Sequence, residues 1–400
     1  MLYRFLYSFI TAVGIFSLNG CVEPYQMETN SFEEAIVVEA TLSNQLKRHT
    51  VKLTKTYKLE DTEPAIINDA HVYISDDAGN SYDFSFEDGL YISDHAFQAV
   101  EGRAYTLNLS TADGKTYKSS PESLTGTIPI ESVTANEVTK DGKRGVQISV
   151  NSYDPSGNSK FYRYEYEETY KVVAPYWSEN IATIVLDNEQ GMSLNDVIVI
   201  TPRTYEARTC YSTNKSTYLN ITNTVNLSED RVDNYPVRFI SVDDPIIRNR
   251  YSIKVLQYVQ SLSAYTFYET LKELSTTGEN ILAQNQPGFF YGNMRSISNE
   301  KEKVLGFFEV SSVSEHRIFF NFNDIFPNDQ PPPYLYECEV FTYDSTLFEL
   351  FNNQGSYIRT YILQNQGIYY EHDFPFYSVV KPECGDCTSF SSNIVPEFWE

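Results

Sequence analysis

The stretch from residue 34 to residue 125 constrains the fold most strongly, because short β-prone runs follow one another there with turn residues between them. Turn chemistry separates the runs, as in residues 76–80 (DDAGN) and 112–115 (ADGK). Closely spaced short strands are typical of an immunoglobulin-like β-sandwich. The predicted strands are residues 35–42, 50–57, 71–75, 81–86, 90–93, 104–110 and 116–119.

Three short motifs inside this stretch are similar to a known module. Residues 69–74 (DAHVYI), the pair Gly79-Asn80 and residues 89–91 (GLY) resemble the small sandwich modules related to carboxypeptidase regulatory domains. The resemblance implies that the glycines serve tight turns, and it implies no catalysis.

Residues 126–400 are predicted to form a larger β-rich domain, reached through a linker at 124–130. Residues 161–170 alternate aromatic and charged side chains, which gives a strand one buried and one wet face. Together with a strand at 145–151, the strand at 160–173 resembles a fibronectin type III strand pair. Further strands are predicted at 197–200, 215–220, 237–242, 250–260, 304–313 and 317–322.

Residues 261–275 change the hydrophobic period to three and four, which predicts an α-helix that Ser261 or Ser263 can cap. The last sixty residues mix short strands with a possible helical turn. The predicted fold class is therefore mainly β. It consists of tandem immunoglobulin-like and fibronectin III-like sandwiches, with one helix near the middle of the second half and an irregular C-terminal β region.

The N-terminus has the features of an export signal. Residues 1–20 carry one early cation and an apolar run too short to span a bilayer as a mature helix, which predicts a signal peptide. The end of this run, residues 18–21 (LNGC), resembles a bacterial lipobox and predicts acylation of Cys21, with residues 21–33 as a tether. The alternative is an ordinary signal peptide with an incidental cysteine. Because no aspartate follows Cys21, the outer membrane is favoured, and Glu23 indicates export to the cell surface.

Charge and composition exclude some partners. The formal net charge is −24 and no basic block interrupts it, so nucleic acid is an unsuitable partner. The 32 tyrosines and 25 phenylalanines against 4 methionines favour strands over helices. No second apolar run approaches eighteen residues, so we expect no membrane-spanning helix.

Besides Cys21, the chain contains Cys210, Cys338, Cys384 and Cys387. In an exported protein, four cysteines predict disulfides, with three possible connectivities. Proximity favours a Cys384–Cys387 pair, while Cys210 and Cys338 stay open as partners for the tail cysteines. The alternative is a zinc site built from all four thiolates, although structural zinc usually draws on two close pairs.

Catalytic signatures are missing from the sequence. The five histidines are scattered without metal-pair spacing, and no nucleophile elbow, phosphate loop or dinucleotide fingerprint occurs. We therefore expect no cofactor, no resident metal and no enzyme activity. Carboxylates are numerous enough to leave a glycosidase pair open, and residues 76–80 offer either a plain turn or a calcium loop.

A set of motifs is spread along the chain. They are residues 210–212 (CYS), 250–253 (RYSI), 264–268 (AYTFY), 286–288 (QPG), Gly292-Asn293, 304–308 (VLGFF), 384–387 (CGDC) and 396–399 (PEFW). Together these motifs resemble domain-of-unknown-function family 4249, whose members are Bacteroidota lipoproteins commonly encoded beside TonB-dependent outer-membrane transporters. The resemblance implies a location and a partner, and it implies no reaction.

Two functions are consistent with the sequence. The first is a binding or accessory lipoprotein of a TonB-dependent transporter, and the second is a surface glycan or peptide hydrolase. Phe289, Phe290 and Tyr291 form an aromatic run that could contact a partner, as buried aromatic residues do at interface centres. The alternative is that these rings pack the helix onto the adjacent sheet. A deep pocket with converging carboxylates would favour the hydrolase.

Overall fold

The computed structural model of the chain describes residues 34–57, 63–186, 197–277, 291–348 and 352–399. Strands dominate these ranges, so the predicted mainly β class is confirmed. Among the described residues, no helix combines the length and the apolar character needed to cross a membrane.

The seven strands predicted between residues 34 and 125 form within two residues of their predicted ends. Alternation explains them: in β1, Val38, Ala40 and Leu42 are buried while Glu39 is exposed. An eighth short strand closes this part. The strands are β1 (Ile36–Ser43), β2 (Thr50–Lys55), β3 (His71–Asp76), β4 (Ser81–Glu87), β5 (Leu90–Ser93), β6 (Ala104–Ser110), β7 (Thr116–Ser119) and β8 (Glu122–Ser123).

The rest of the chain adds longer strands. They are β9 (Ile130–Lys140), β10 (Lys143–Tyr153), β11 (Phe161–Val173), β12 (Asn180–Val185), β13 (Val197–Pro202), β14 (Thr209–Lys215), β15 (Asn220–Asn223), β16 (Arg231–Ser241), β17 (Arg250–Val259), β18 (Met294–Ser296), β19 (Val304–Asn321), β20 (Val340–Asp344), β21 (Ile368–Asp373) and β22 (Phe376–Val380). The helices are α1 (Leu262–Thr277), α2 (Phe322–Ile325), α3 (Gln354–Leu363) and α4 (Pro382–Gly385), with 3-10 turns at Pro245–Ile247 and Cys387–Ser389.

Three predictions of local structure need correction. The strand predicted at 215–220 is wrong, because β14 ends where that prediction begins and β15 starts where it ends. The two strands predicted at 304–313 and 317–322 are one strand, β19. Ile130, the last residue of the predicted linker, begins β9, a strand that the sequence did not predict and that pairs with β10.

The predicted helix at 261–275 is confirmed as α1, and Ser261 caps it. The Oγ atom of Ser261 accepts a hydrogen bond of 3.2 Å from the backbone N–H of Ala264. On the inner face of α1, Ala264 and Tyr265 are buried. The ring of Phe267 lies 5.4 Å from the ring of Phe307, which places α1 against β19.

One strand joins the two regions of the sheet. The first half of β19 pairs in parallel with β1, from Ile36 opposite Val304 to Ser43 opposite Ser311, and its second half pairs antiparallel with β17. The sheet order is β14-β11-β17-β19-β1-β2-β5-β4-β3-β6-β7-β18. Its hydrogen bonds therefore cross the boundary predicted between residues 125 and 126.

The sheets enclose separate hydrophobic cores. The first lies between β1, β2, β3, β6 and β19, where Leu42, Ile74 and Phe308 are almost fully buried. The second lies between β11 and β17 on one side and the β16-β10-β9 sheet on the other, which is a sandwich arrangement. A small third core packs α3 against the β20-β22-β21 sheet, through Ile358 and Ile362.

Candidate functional site

A groove of about 900 Å³ runs between α1 and the open face of the sheet formed by β19, β1 and β2. We call it the α1 groove. It combines apolar, aromatic and charged side chains, which is the composition expected of a site that binds a ligand. Its lining includes Val37, Glu39, Thr41, Lys47, Arg48, His49, Lys52, Arg163, Glu165, Tyr258, Phe267, Tyr268, Leu271, Leu305 and Phe307.

Strand alternation builds the floor of the α1 groove. The side chains of β1 that point away from the first core, such as Val37 and Glu39, face the groove. In the parallel register, Val37 lies opposite Leu305 and Glu39 lies opposite Phe307. The floor is therefore set by the pairing of β1 with β19.

Arg163, which lines the α1 groove, forms a buried ion pair with Glu309. Nη2 of Arg163 donates to Oε2 of Glu309 at 2.9 Å, and the side chains are only 6% and 1% exposed. Oε1 of Glu309 accepts hydrogen bonds from Gln260 at 3.1 Å and from Ser311 at 2.5 Å. Nη1 of Arg163 also donates to Glu165. Several donors thus compensate the buried carboxylate, as burial of a charge requires.

Two tyrosines complete this network. The guanidinium carbon of Arg163 lies 4.0 Å from the ring centroid of Tyr258 and 5.2 Å from that of Tyr268. The hydroxyl of Tyr258 donates to Glu165 at 3.0 Å. Burial raises the pKa of both tyrosines, and the nearby glutamates raise it further, so both hydroxyls are donors at neutral pH.

Two buried polar atoms of this network lack a hydrogen-bond partner among the described residues. Within the described part of the chain, Nε of Arg163 and Oε1 of Gln260 have no hydrogen-bond partner although both atoms are buried. Buried polar groups are normally satisfied by protein, water or ligand. The Nε–H group of Arg163 can therefore donate one more hydrogen bond, and Oε1 of Gln260 can accept one more.

Cations line the opposite wall of the α1 groove. Lys52 pairs with Glu39 at 3.2 Å and Arg48 pairs with Glu87 at 2.7 Å. Burial lowers the pKa of Lys47. His49 is only 2% exposed, and burial lowers its pKa to about 4. Carboxylates therefore compensate two of these cations, and His49 is neutral at pH 7.

Of the three candidate partner-contact residues, the structure describes only Tyr291, which lies next to the groove. Phe289 and Phe290 lie outside the described residues, and so does Cys21, the predicted lipidation site. Tyr291 is 68% exposed and lines a second cleft of about 430 Å³ together with Phe267, Asn293 and Phe307. Phe267 and Phe307 also line the α1 groove, so these two rings separate the two openings.

Asn293 fixes the position of Tyr291. The Asn293 side chain forms two hydrogen bonds of 2.8 Å with the backbone N–H and carbonyl of Phe308. Its Nδ2 atom also donates to Glu122 at 3.0 Å. Burial raises the pKa of Glu122. These hydrogen bonds fix the start of β18 beside β19.

The four predicted disulfide cysteines are all paired, but the pairing favoured by proximity is wrong. Cys210 bonds Cys387, and Cys338 bonds Cys384, with sequence separations of 177 and 46 residues. Cys384 lies in α4 and Cys387 lies in the 3-10 turn that follows it. Each of them bonds a cysteine on a different part of the chain. The disulfides exclude a zinc site made of four thiolates.

The remaining candidate metal site is the loop at residues 76–80. The calcium alternative at residues 76–80 gives way to a plain turn, because the Asp76 carboxylate accepts from the N–H groups of Ala78 and Asn80. No cluster of three or more His, Cys, Asp or Glu side chains suited to a metal ion occurs among the described residues.

Sequence reasoning missed Arg163 and Glu309 as site residues. Arg163 stands in the strand whose charged positions were assigned to a solvent-exposed face, yet α1 covers that position. The only available signal was a glutamate at position 309, inside the otherwise apolar start of β19. A charge in such a run indicates a partner, but it does not identify the partner.

The sequence profile of the family described as "Domain of unknown function (DUF4249)" matches residues 22–317. The match includes every strand and the helix that line the α1 groove, whereas Cys338, Cys384 and Cys387 lie beyond it. Of the curated proteins compared with the chain, none matches it. Because the profile covers most of the chain, the protein belongs to domain-of-unknown-function family 4249.

Proposed function

We propose that this protein is a non-catalytic binding lipoprotein of the outer membrane, held at the cell surface through acylated Cys21. Its body binds cargo in the α1 groove and works as an accessory of a TonB-dependent transporter in nutrient uptake. The host is a bacterium of the Bacteroidota.

The α1 groove is the observation that carries this proposal. It is concave, its floor is fixed by β1 and β19, and Arg163 in its lining is held by the buried pair with Glu309. Pre-formed sites lose less entropy when a ligand binds, so such a groove suits capture of a cargo.

Glu165 and the nearby Glu309 are committed to structural contacts, and Glu39, the other carboxylate that lines the groove, pairs with Lys52 at 3.2 Å. Glu309 accepts hydrogen bonds from Arg163, Gln260 and Ser311, and Glu165 accepts from Arg163 and Tyr258. A general acid or base needs an oxygen within reach of a substrate proton. This arrangement supports binding over hydrolysis as the role of the groove.

Tyr291 supports the transporter partnership. It is 68% exposed and lines the neighbouring cleft, and it is not among the residues that line the α1 groove. Exposed aromatic residues supply much of the energy at protein interfaces.

Purification of the tagged full-length protein from outer membranes tests the proposal. We expect one TonB-dependent transporter to co-purify, and we expect mass spectrometry of the N-terminal peptide to show an acylated Cys21. Replacing Phe290 and Tyr291 by alanine should reduce transporter recovery several-fold. The matched control is Tyr357→Ala, which removes an exposed tyrosine from α3.

Two results would overturn the proposal. One is recovery of no transporter from expressing cells, and the other is an N-terminus without acyl chains. Release of reducing ends or new amines from cell-surface polymers by the purified protein would support the hydrolase instead.

A further inference from the structure

A further cleft, of about 500 Å³, lies between the edge strand β14 and the C-terminal part of the chain. We call it the aromatic cleft. It shares no lining residue with the α1 groove. It is lined by Tyr170, Tyr211, Ser212, Thr213, Asn214, Leu335, Tyr336, Phe390, Ser391 and Ser392.

The two sites lie on opposite faces of the sheet. Tyr170 and Arg163 stand seven positions apart on β11, so alternation directs them to opposite faces, about 23 Å apart along the strand. Tyr170 belongs to the second core and forms the floor of the aromatic cleft. A ligand in one site therefore cannot reach the other.

The lining of the aromatic cleft is uncharged. None of the described residues that line it is acidic or basic, although charged residues make up 21% of the chain and the net charge is −24. A site that recognises an ion or a charged peptide carries opposite charges. The lining therefore fits a ligand without formal charge.

The cleft combines aromatic rings with small hydrogen-bonding groups. Tyr336 is 40% exposed, and its ring meets that of Phe390 edge-on at 4.9 Å. Asn214 is exposed at the rim, whereas the Oγ1 atom of Thr213 lies 2.9 Å from that of Thr169 on the opposite face of the sheet. Aromatic faces carry partial negative charge that attracts polarised C–H groups, while hydroxyls and amides donate and accept hydrogen bonds. A pyranose ring offers a C–H face and a rim of hydroxyls together.

Disulfides hold the aromatic residues in place. Tyr211 follows Cys210, Tyr336 precedes Cys338 by two positions, and Phe390 follows Cys387 by three. Tyr211 and Ser392 are also bridged by two backbone hydrogen bonds, of 2.7 and 3.3 Å. Side chains fixed before binding lose little freedom when a ligand arrives, which favours a weak but specific site.

We infer that the aromatic cleft is a saccharide-binding site that stacks an uncharged pyranose on Tyr336 and hydrogen-bonds its hydroxyls through Asn214. Its volume falls in the range of small-molecule pockets and accommodates one or two sugar rings. The inference does not depend on the cargo proposed for the α1 groove.

Saturation-transfer NMR on the oxidised full-length protein tests this inference. The probes are the methyl pyranosides of glucose, galactose and mannose, with hexaproline as the competing uncharged ligand. We expect saturation transfer to the ring C–H protons of at least one glycoside. Tyr336→Ala should weaken that binding at least tenfold, and Tyr336→Phe, which keeps the ring, should retain it.

The control variant is Tyr357→Ala, which removes an exposed tyrosine outside the cleft and should bind as the wild type does. Near-UV circular dichroism establishes that each variant is folded. The inference is overturned if none of the three glycosides receives saturation, or if folded Tyr336→Ala binds as well as wild type. Binding of hexaproline alone would also overturn it, because it would assign the cleft to a peptide.

Discussion

Arg163 donates a hydrogen bond of 2.9 Å to Glu309 across 146 positions of the chain, and both side chains are almost completely buried. The pair connects β11 to β19, which are separated in the sheet by β17. The Tyr268 ring of α1 lies over Arg163, which is thus both a structural contact and part of the lining of the α1 groove.

The first prediction concerns Glu309. Glu309→Gln leaves the Arg163 guanidinium buried with less compensation, which should lower the free energy of unfolding by about 3 kcal/mol. Urea denaturation at neutral pH measures this loss. The matched control is Glu39→Gln, which breaks an exposed pair with Lys52 and should cost under about 1 kcal/mol. Equal losses in the two variants would show that burial of the pair is unimportant.

The second prediction concerns the disulfides. Non-reducing peptide mapping should find Cys210 linked to Cys387 and Cys338 linked to Cys384. In the entropic model, removing the 177-residue link by Cys210→Ser with Cys387→Ser should cost about 5 kcal/mol, and removing the 46-residue link about 4 kcal/mol. Recovery of a Cys384–Cys387 peptide from the native protein would contradict the structure.

The third prediction concerns His49. Nε2–H of His49 donates to the carbonyl of Phe97 at 2.9 Å, and burial holds its pKa at about 4 instead of the usual 6.5. Between these values the unfolded chain binds the extra proton, so the stability that neutral His49 contributes is present above pH 6.5 and lost as pH falls to 4. We expect a loss of up to about 3 kcal/mol over this window. Urea titrations should show a shallower pH dependence for His49→Gln, and an unchanged dependence would refute the assignment.

The fourth prediction compares two glycines with positive φ. A Cβ atom on Gly306, at φ +114°, would lie 1.9 Å from the carbonyl oxygen of Val38, whereas one on Gly79, at φ +87°, would contact nothing within 4 Å. Gly79→Ala should therefore cost only the conformational strain, about 1 kcal/mol. Gly306→Ala must also separate β1 from β19, and we expect a loss above about 3 kcal/mol. Denaturation curves for the two variants measure these losses. Similar midpoints would contradict the close approach of the strands.

Local pattern predicted much of the fold. The turns at residues 76–80 and 112–115 and the alternation in β1 were sufficient to place the strands of the first region. β9 was missed because most of its residues beyond Val133 are at least partly exposed, so it lacks a clear apolar face. The sequence predicted only a possible helical turn in the last sixty residues, not the ten residues of α3, because Ile358, Thr360 and Ile362 are β-branched and resemble strand residues.

The candidate site was much less predictable than the fold. The α1 groove depends on β1 pairing in parallel with β19, and no local pattern specifies which distant strand a β1-like sequence will choose. The disulfides show the same limitation: spacing favoured Cys384 with Cys387, whereas tertiary packing places Cys210 beside Cys387. Contacts between distant residues decide the site, and periodicity carries no information about them.

The parallel pairing of β1 with β19 imposes an order of events on synthesis. β1 is made early, yet the strand that covers its edge begins only at Val304. At about 5–20 residues per second, the ribosome needs tens of seconds to reach that point. During this interval the β1 edge presents unpaired N–H and carbonyl groups, and such edges readily pair with other chains. Until Ser311 has emerged, the β1 edge therefore lacks the strand that covers it in the folded protein.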